Sequence, residues 1–74
     1  MSNAMATRVA LPPAIEEYAY VVLTRDVEAA GVLFPRGTRG VVVHRHDDQV
    51  GCEVEFETPR FAVGTLTACD IEAA

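Results

Sequence analysis

From Cys52 to Glu57 the chain alternates without a break: Cys52, Val54 and Phe56 are apolar, and Glu53, Glu55 and Glu57 are acidic. A repeat of two marks a strand with one face on a core and the other in water. Turn residues bound it on both sides, Asp47-Asp48-Gln49-Val50-Gly51 before and Thr58-Pro59-Arg60 after. Beyond each turn lies another strand-like run. Arg39 to His46 holds Gly40-Val41-Val42-Val43, the strongest strand signal in the chain, and Phe61 to Leu66 follows the second turn.

Upstream, Tyr18 to Thr24 is aromatic and β-branched and predicts a first strand. The segment Arg25 to Gly37 carries Gly31, Pro35 and Gly37 and is expected to be a long organised loop, with Val27, Val32, Leu33 and Phe34 tucked under it. Downstream, Thr67-Ala68-Cys69-Asp70 predicts one tight helical turn and Ile71-Glu72 a short last strand. No segment supports a helix long enough to cover a sheet face. Five short strands with so little else bury a core best by curling the sheet onto itself. The expected fold is therefore all-β, a small five-stranded SH3-like barrel over residues 18–74. Residues 5–17 are read as an irregular arm, because Leu11-Pro12-Pro13 suits neither a helix interior nor a central strand. Pro13 is placed to start one helical turn through Ala14-Ile15-Glu16-Glu17. Residues 1–4, ahead of Met5, have the look of a cloning remnant.

At 74 residues the chain holds one small domain, which excludes two-domain enzymes, doubly wound folds and (β/α) barrels. Half the residues are hydrophobic and 23% are charged, a globular balance. Eleven acids stand against six bases, all of them arginine, for a net charge of −5. Such a domain repels a polyphosphate unless its arginines share one face, so nucleic acid is not the expected partner. No apolar run approaches the ~20 residues that cross a bilayer, and no secretory signal precedes the domain. The expectation is a cytoplasmic protein without a membrane segment, with Cys52 and Cys69 as free thiols.

Val21-Val22-Leu23-Thr24-Arg25-Asp26, Gly31, and Gly37-Thr38-Arg39-Gly40-Val41-Val42 form an ordered set with Glu53-Val54-Glu55-Phe56, Ala62-Val63-Gly64-Thr65-Leu66 and Asp70-Ile71. Over residues 18–72 that set resembles the small bacterial proteins of domain-of-unknown-function family 4926. The family usually has an Asp where Ala19 stands and a bulkier residue where Gly64 stands. The resemblance implies a small SH3-like barrel and no established activity. Gly37-Thr38-Arg39-Gly40-Val41-Val42 also looks like the KOW motif of ribosome- and polymerase-associated barrels, over one loop and strand only.

Candidate chemistry is sparse. His44 and His46, two apart, would face one side and could be joined by Cys52 or Cys69 around a metal, but no zinc-type spacing is present, so no metal and no cofactor is expected. Cys52 alternates with glutamates on an apolar face and reads as core packing, not as a nucleophile served by a histidine. The row Glu53, Glu55, Glu57 is expected to pair across strands with Arg39 or Arg45; left unpaired, it is a docking surface for a basic partner. Arg25, Arg36, Arg39 and Arg45 could share one rim as a modest anion site, or pair locally with Asp26 and Glu28.

These readings assign no catalytic residue. They point to a non-enzymatic interaction module that docks onto a protein partner and forms a homodimer. Val32, Leu33, Phe34, Arg36 and Arg39 are the candidate interface, with the Leu11-Pro12-Pro13 arm beside them, because apolar residues off regular strands are the expected exposed excess. The alternatives are a nucleic-acid- or ribosome-associated KOW-like barrel and a small accessory subunit of an enzyme.

Overall fold

The computed structural model describes residues 9–74. The expected remnant at 1–4 and the start of the arm at 5–8 lie outside the described residues. The elements are all strands: β1 (Tyr20–Leu23), β2 (Val27–Ala29), β3 (Val32–Phe34), β4 (Arg39–Arg45), β5 (Gly51–Phe56), β6 (Ala62–Thr67) and β7 (Ile71–Ala73). Five of them form one antiparallel sheet in the order β6-β5-β4-β1-β7, curled into a half-barrel, and β2 pairs with β3 in a separate hairpin. The fold is all-β, as the alternation and the turn spacing predict.

Alternation fixes which residues point inward. Cys52, Val54 and Phe56 are fully buried, and Val21, Leu23, Val42 and Leu66 join them on the concave face. Val42, Val54 and Gly64 stand opposite one another across three strands. Gly40 and Gly64 keep that face open: a Cβ on Gly40 would sit 2.6 Å from Val54 Cγ1, and one on Gly64 would sit 2.8 Å from Ala29 Cβ. The second approach is where the β2–β3 hairpin lies against β6.

Residues 25–37 are not a loop. Their centre is a hairpin with a two-residue connection, Ala30-Gly31, in which both residues have positive φ, +53° and +76°. That is the turn whose twist matches paired strands, and it favours Asn-Gly or Asp-Gly. Alanine in place of asparagine hides the signal. The hairpin carries Phe34 into the core with no exposed surface, stacked on Phe56 with ring centroids 4.6 Å apart. Phe34 is therefore not part of an exposed apolar excess, and Val32 is half-buried against the same core.

The arm is also more organised than expected. Leu11 and Ile15 are buried in the core, and only Pro12 and Pro13 of Leu11-Pro12-Pro13 face water. One side chain holds the arm down. Arg45 donates through Nη1 to the carbonyls of Pro12 (3.1 Å) and Ile15 (2.6 Å), and through Nη2 to that of Leu11 (3.0 Å). It reaches them because β4 is bulged between Val42 and His44, which sets Arg45 opposite the buried Cys52. One extra residue turns Arg45 from the outer face to the inner one, so it does not pair with the glutamate row. First-strand pairing runs shorter than predicted, Tyr20–Leu23, and residues 67–70 form a hydrogen-bonded turn with Asp70 N donating to Thr67 O at 2.9 Å.

Because Phe34 and Phe56 share one contact, Phe34→Ala and Phe56→Ala should each lower stability by ~3–5 kcal/mol. The double variant should lose less than both effects added. Urea unfolding of the four proteins checks this; additive losses would mean that the stack is not what couples the hairpin to the sheet.

Candidate functional site

The outer face of the sheet is chemically mixed. Its central row runs Tyr20, Val41, Glu55, Val63, paired in register across β1, β4, β5 and β6. Around that row lies a groove of about 530 Å³ lined by Tyr18, Tyr20, Arg39, Val41, Glu55 and Glu57, among others. Tyr18 and Tyr20 are 71% and 66% exposed, more than any other large apolar or aromatic side chain of the described residues. Arg39, Glu55 and Glu57 make no ion pair or side-chain hydrogen bond among the described residues. The groove thus offers two aromatic faces, two carboxylates and one guanidinium without internal partners.

Tyr18 is held there against its own preference. Its φ is +70°, a left-handed conformation unusual for a bulky residue. Tyr18 N donates to Val42 O at 2.6 Å and Val42 N donates to Ala19 O at 3.0 Å, so Tyr18 and Ala19 together oppose Val42. This is a bulge in the edge of the β1–β4 ladder whose first position is ordinarily glycine. A residue kept in a disfavoured conformation with its ring in water is a reason to look for a role at that ring.

A second polar cluster sits where β4 turns into β5. His46 Nε2 donates to Glu53 Oε2 at 2.7 Å, and Thr65 donates to both carboxylate oxygens of Glu53 at 3.0 and 2.9 Å. His44 lies 3.7 Å from Glu17 and its ring centroid is 5.7 Å from that of His46. Hydrogen bonding from His46, helped by Thr65, holds the Glu53 carboxyl below its ordinary 4.5 despite partial burial. Cys52 cannot join this cluster, because it points into the core while His44 is exposed; burial pushes its thiol up from 9.0, the direction of an inert side chain.

The five interface candidates do not come together. Arg39 lines the groove; Leu33 stands 60% exposed on the hairpin, Arg36 lies in the turn after it, Val32 is half-buried and Phe34 is core. The arginines separate as well. Arg25 is ion-paired to the buried Asp70 (Nε 2.7 Å, Nη2 2.6 Å), whose other oxygen accepts from Thr67 N at 2.9 Å. Asp26, the expected local partner, instead accepts from the backbone N of Arg36 at 2.8 Å. Tyr18 and Tyr20 were not singled out by sequence as a site; the signal that points to their face is the acidic row, of which Glu53 finds a histidine and Glu55 and Glu57 find nothing.

No family model matches the chain, and neither a curated protein nor a solved structure does. No helix among the described residues is long and apolar enough to cross a membrane.

Two measurements probe this geometry. Tyr18→Gly removes the left-handed strain at a position glycine accepts, so stability should rise by ~0.5–1 kcal/mol; a loss would mean that the ring packs on the sheet and is not simply displayed. Glu53 has a lowered folded pKa, so its contribution is present above the unfolded value of 4.5 and is lost as pH falls through the folded value. Denaturant unfolding at stepped pH should show wild type and Glu53→Gln converging below that window and separating above it. A pH-independent gap would contradict the assignment.

Proposed function

We propose that this chain is an SH3-like interaction module with no chemistry of its own, and that it docks onto a protein partner through the outer face of its sheet. One observation carries the reading: Tyr18 and Tyr20 stand exposed over a groove whose charged groups have no internal partners. Tyrosine is favoured at protein interfaces because one ring offers both apolar area and a hydrogen-bonding end. The strand order, with a hairpin between β1 and β4 and a turn before β7, supports the SH3-like assignment, and the resemblance to domain-of-unknown-function family 4926 agrees with it. A KOW-like nucleic-acid role is less well supported. Arg25 and Arg45 are occupied inside the fold, and the net charge is −5.

Self-association is the second reading, favoured by the exposed Leu33 at the hairpin. A photo-crosslinking residue placed at Tyr20, at Leu33 or at Arg60 in the native host separates the cases. The proposal expects a discrete foreign protein adduct from position 20 and none from 60. Adducts only between copies, from position 33, would support the homodimer instead. Nucleic-acid adducts, or equal labelling from all three positions, would overturn the interaction face.

A further inference from the structure

We infer that the groove takes an extended, lysine- or arginine-bearing segment of a partner protein, with the cation seated between the tyrosine rings and Glu55. This rests on the interaction-module reading and names the partner's chemistry.

Charge complementarity selects the occupant. Among the groove's charged groups two are carboxylates, Glu55 and Glu57, and one is a guanidinium, Arg39. The register places Val41 opposite Glu55, so Arg39, two positions before Val41, and Glu57, two positions after Glu55, flank the same end of the groove. One guanidinium against two carboxylates leaves the groove net negative, and Glu55 stands at its central row. Glu55 is half-buried in the row beside Tyr20 and Val41, where a carboxylate is less screened than in open water. Tyrosine faces attract cations through the ring quadrupole. An acidic ligand would meet two carboxylates, and an uncharged apolar one would strip water from Glu55 without replacing it.

The groove follows the strand pairing across β1, β4 and β5, which suits a narrow extended chain better than a globular surface. A second copy of this chain is a poor occupant, since each copy carries −5 and association would bring like charge together. The unpaired groups, the strained Tyr18 and the overall acidity all point to a basic segment.

The test uses the full chain and its own fluorophores. The protein has two tyrosines and no tryptophan, and both tyrosines line this groove, so intrinsic tyrosine emission reports on it alone. The probes are N-acetyl tetralysine amide and N-acetyl tetraglutamate amide at low salt. Tetralysine should change the emission saturably, and tetraglutamate should not. Affinity should fall by about ten-fold between 50 and 300 mM salt, by about three-fold in Tyr20→Ala but not in Tyr20→Phe, with Tyr18 as the remaining reporter in both, and by about three- to ten-fold in Glu55→Gln. Tyr20→Ala and Glu55→Gln should both remain folded by circular dichroism under the titration conditions, since neither side chain is in the core.

Equal response to both peptides would overturn the proposal. So would tetralysine binding that Glu55→Gln and Tyr20→Ala leave unchanged, because that is diffuse attraction to an acidic protein. Sedimentation of a dimer whose tyrosine emission no longer responds to peptide would assign the groove to a second copy. A discrete foreign adduct from position 20 together with no response to tetralysine would sink the basic-segment inference and leave the interaction face standing.

Discussion

Phe34 stacked on Phe56 joins two parts of the molecule that have no strand pairing between them. The five-stranded sheet is only a half-barrel, and its concave face would lie open if the β2–β3 hairpin did not cover it. Phe34 is the residue that enters from the hairpin side, and Phe56 is the largest side chain the sheet offers in return. The fit needs room, which Gly40 supplies beneath Phe56 and Gly64 supplies beneath Ala29. At the other end the arm does the same work with Leu11 and Ile15, held by three hydrogen bonds from Arg45 to backbone carbonyls. A small domain has little net stability to spare, so each cover matters to the whole.

With the concave face filled in this way, the residues that the packing does not account for stand on the convex face. Two bulges shape it. The one in β4 sends Arg45 inward and keeps it off the glutamate row; the one at Tyr18 and Ala19 turns a tyrosine into the groove at the expense of a left-handed backbone. Glu53 is satisfied by His46 and Thr65, and Asp70 by Arg25 and Thr67, whereas Glu55, Glu57 and Arg39 are not satisfied by anything among the described residues. Charge in this molecule thus divides into groups that the fold uses and groups that it does not.

Strict alternation made β5 and its inward set Cys52, Val54 and Phe56 legible in the sequence, and the turn residues on either side gave β4 and β6. The hairpin at Val27–Phe34 was not legible, because Ala30-Gly31 lacks the asparagine or aspartate that usually announces such a turn. Reading it as a loop made Phe34 look exposed and drew the interface toward it. The bulges were not legible either: nothing in Val42-Val43-His44 says that one residue will be unpaired, and a shift of one reverses every later side chain. Hence Arg45 was expected beside the glutamates and is found under the arm. The groove was half legible. The acidic row is visible in the alternation and Tyr20 in the first strand, but the placing of Tyr18 beside them depends on a backbone conformation that tyrosine seldom adopts.

If the Phe34–Phe56 stack closes the half-barrel, the hairpin belongs to one cooperative core with the sheet. Native-state hydrogen exchange tests it most directly. Amides of the Val27–Phe34 hairpin should exchange only with the opening that also releases β4 and β5, at the same free energy and with the same denaturant dependence. If the hairpin amides exchange through a separate opening several kcal/mol below the global one, with little denaturant dependence, then Phe34 does not close the half-barrel and the account of the fold is wrong.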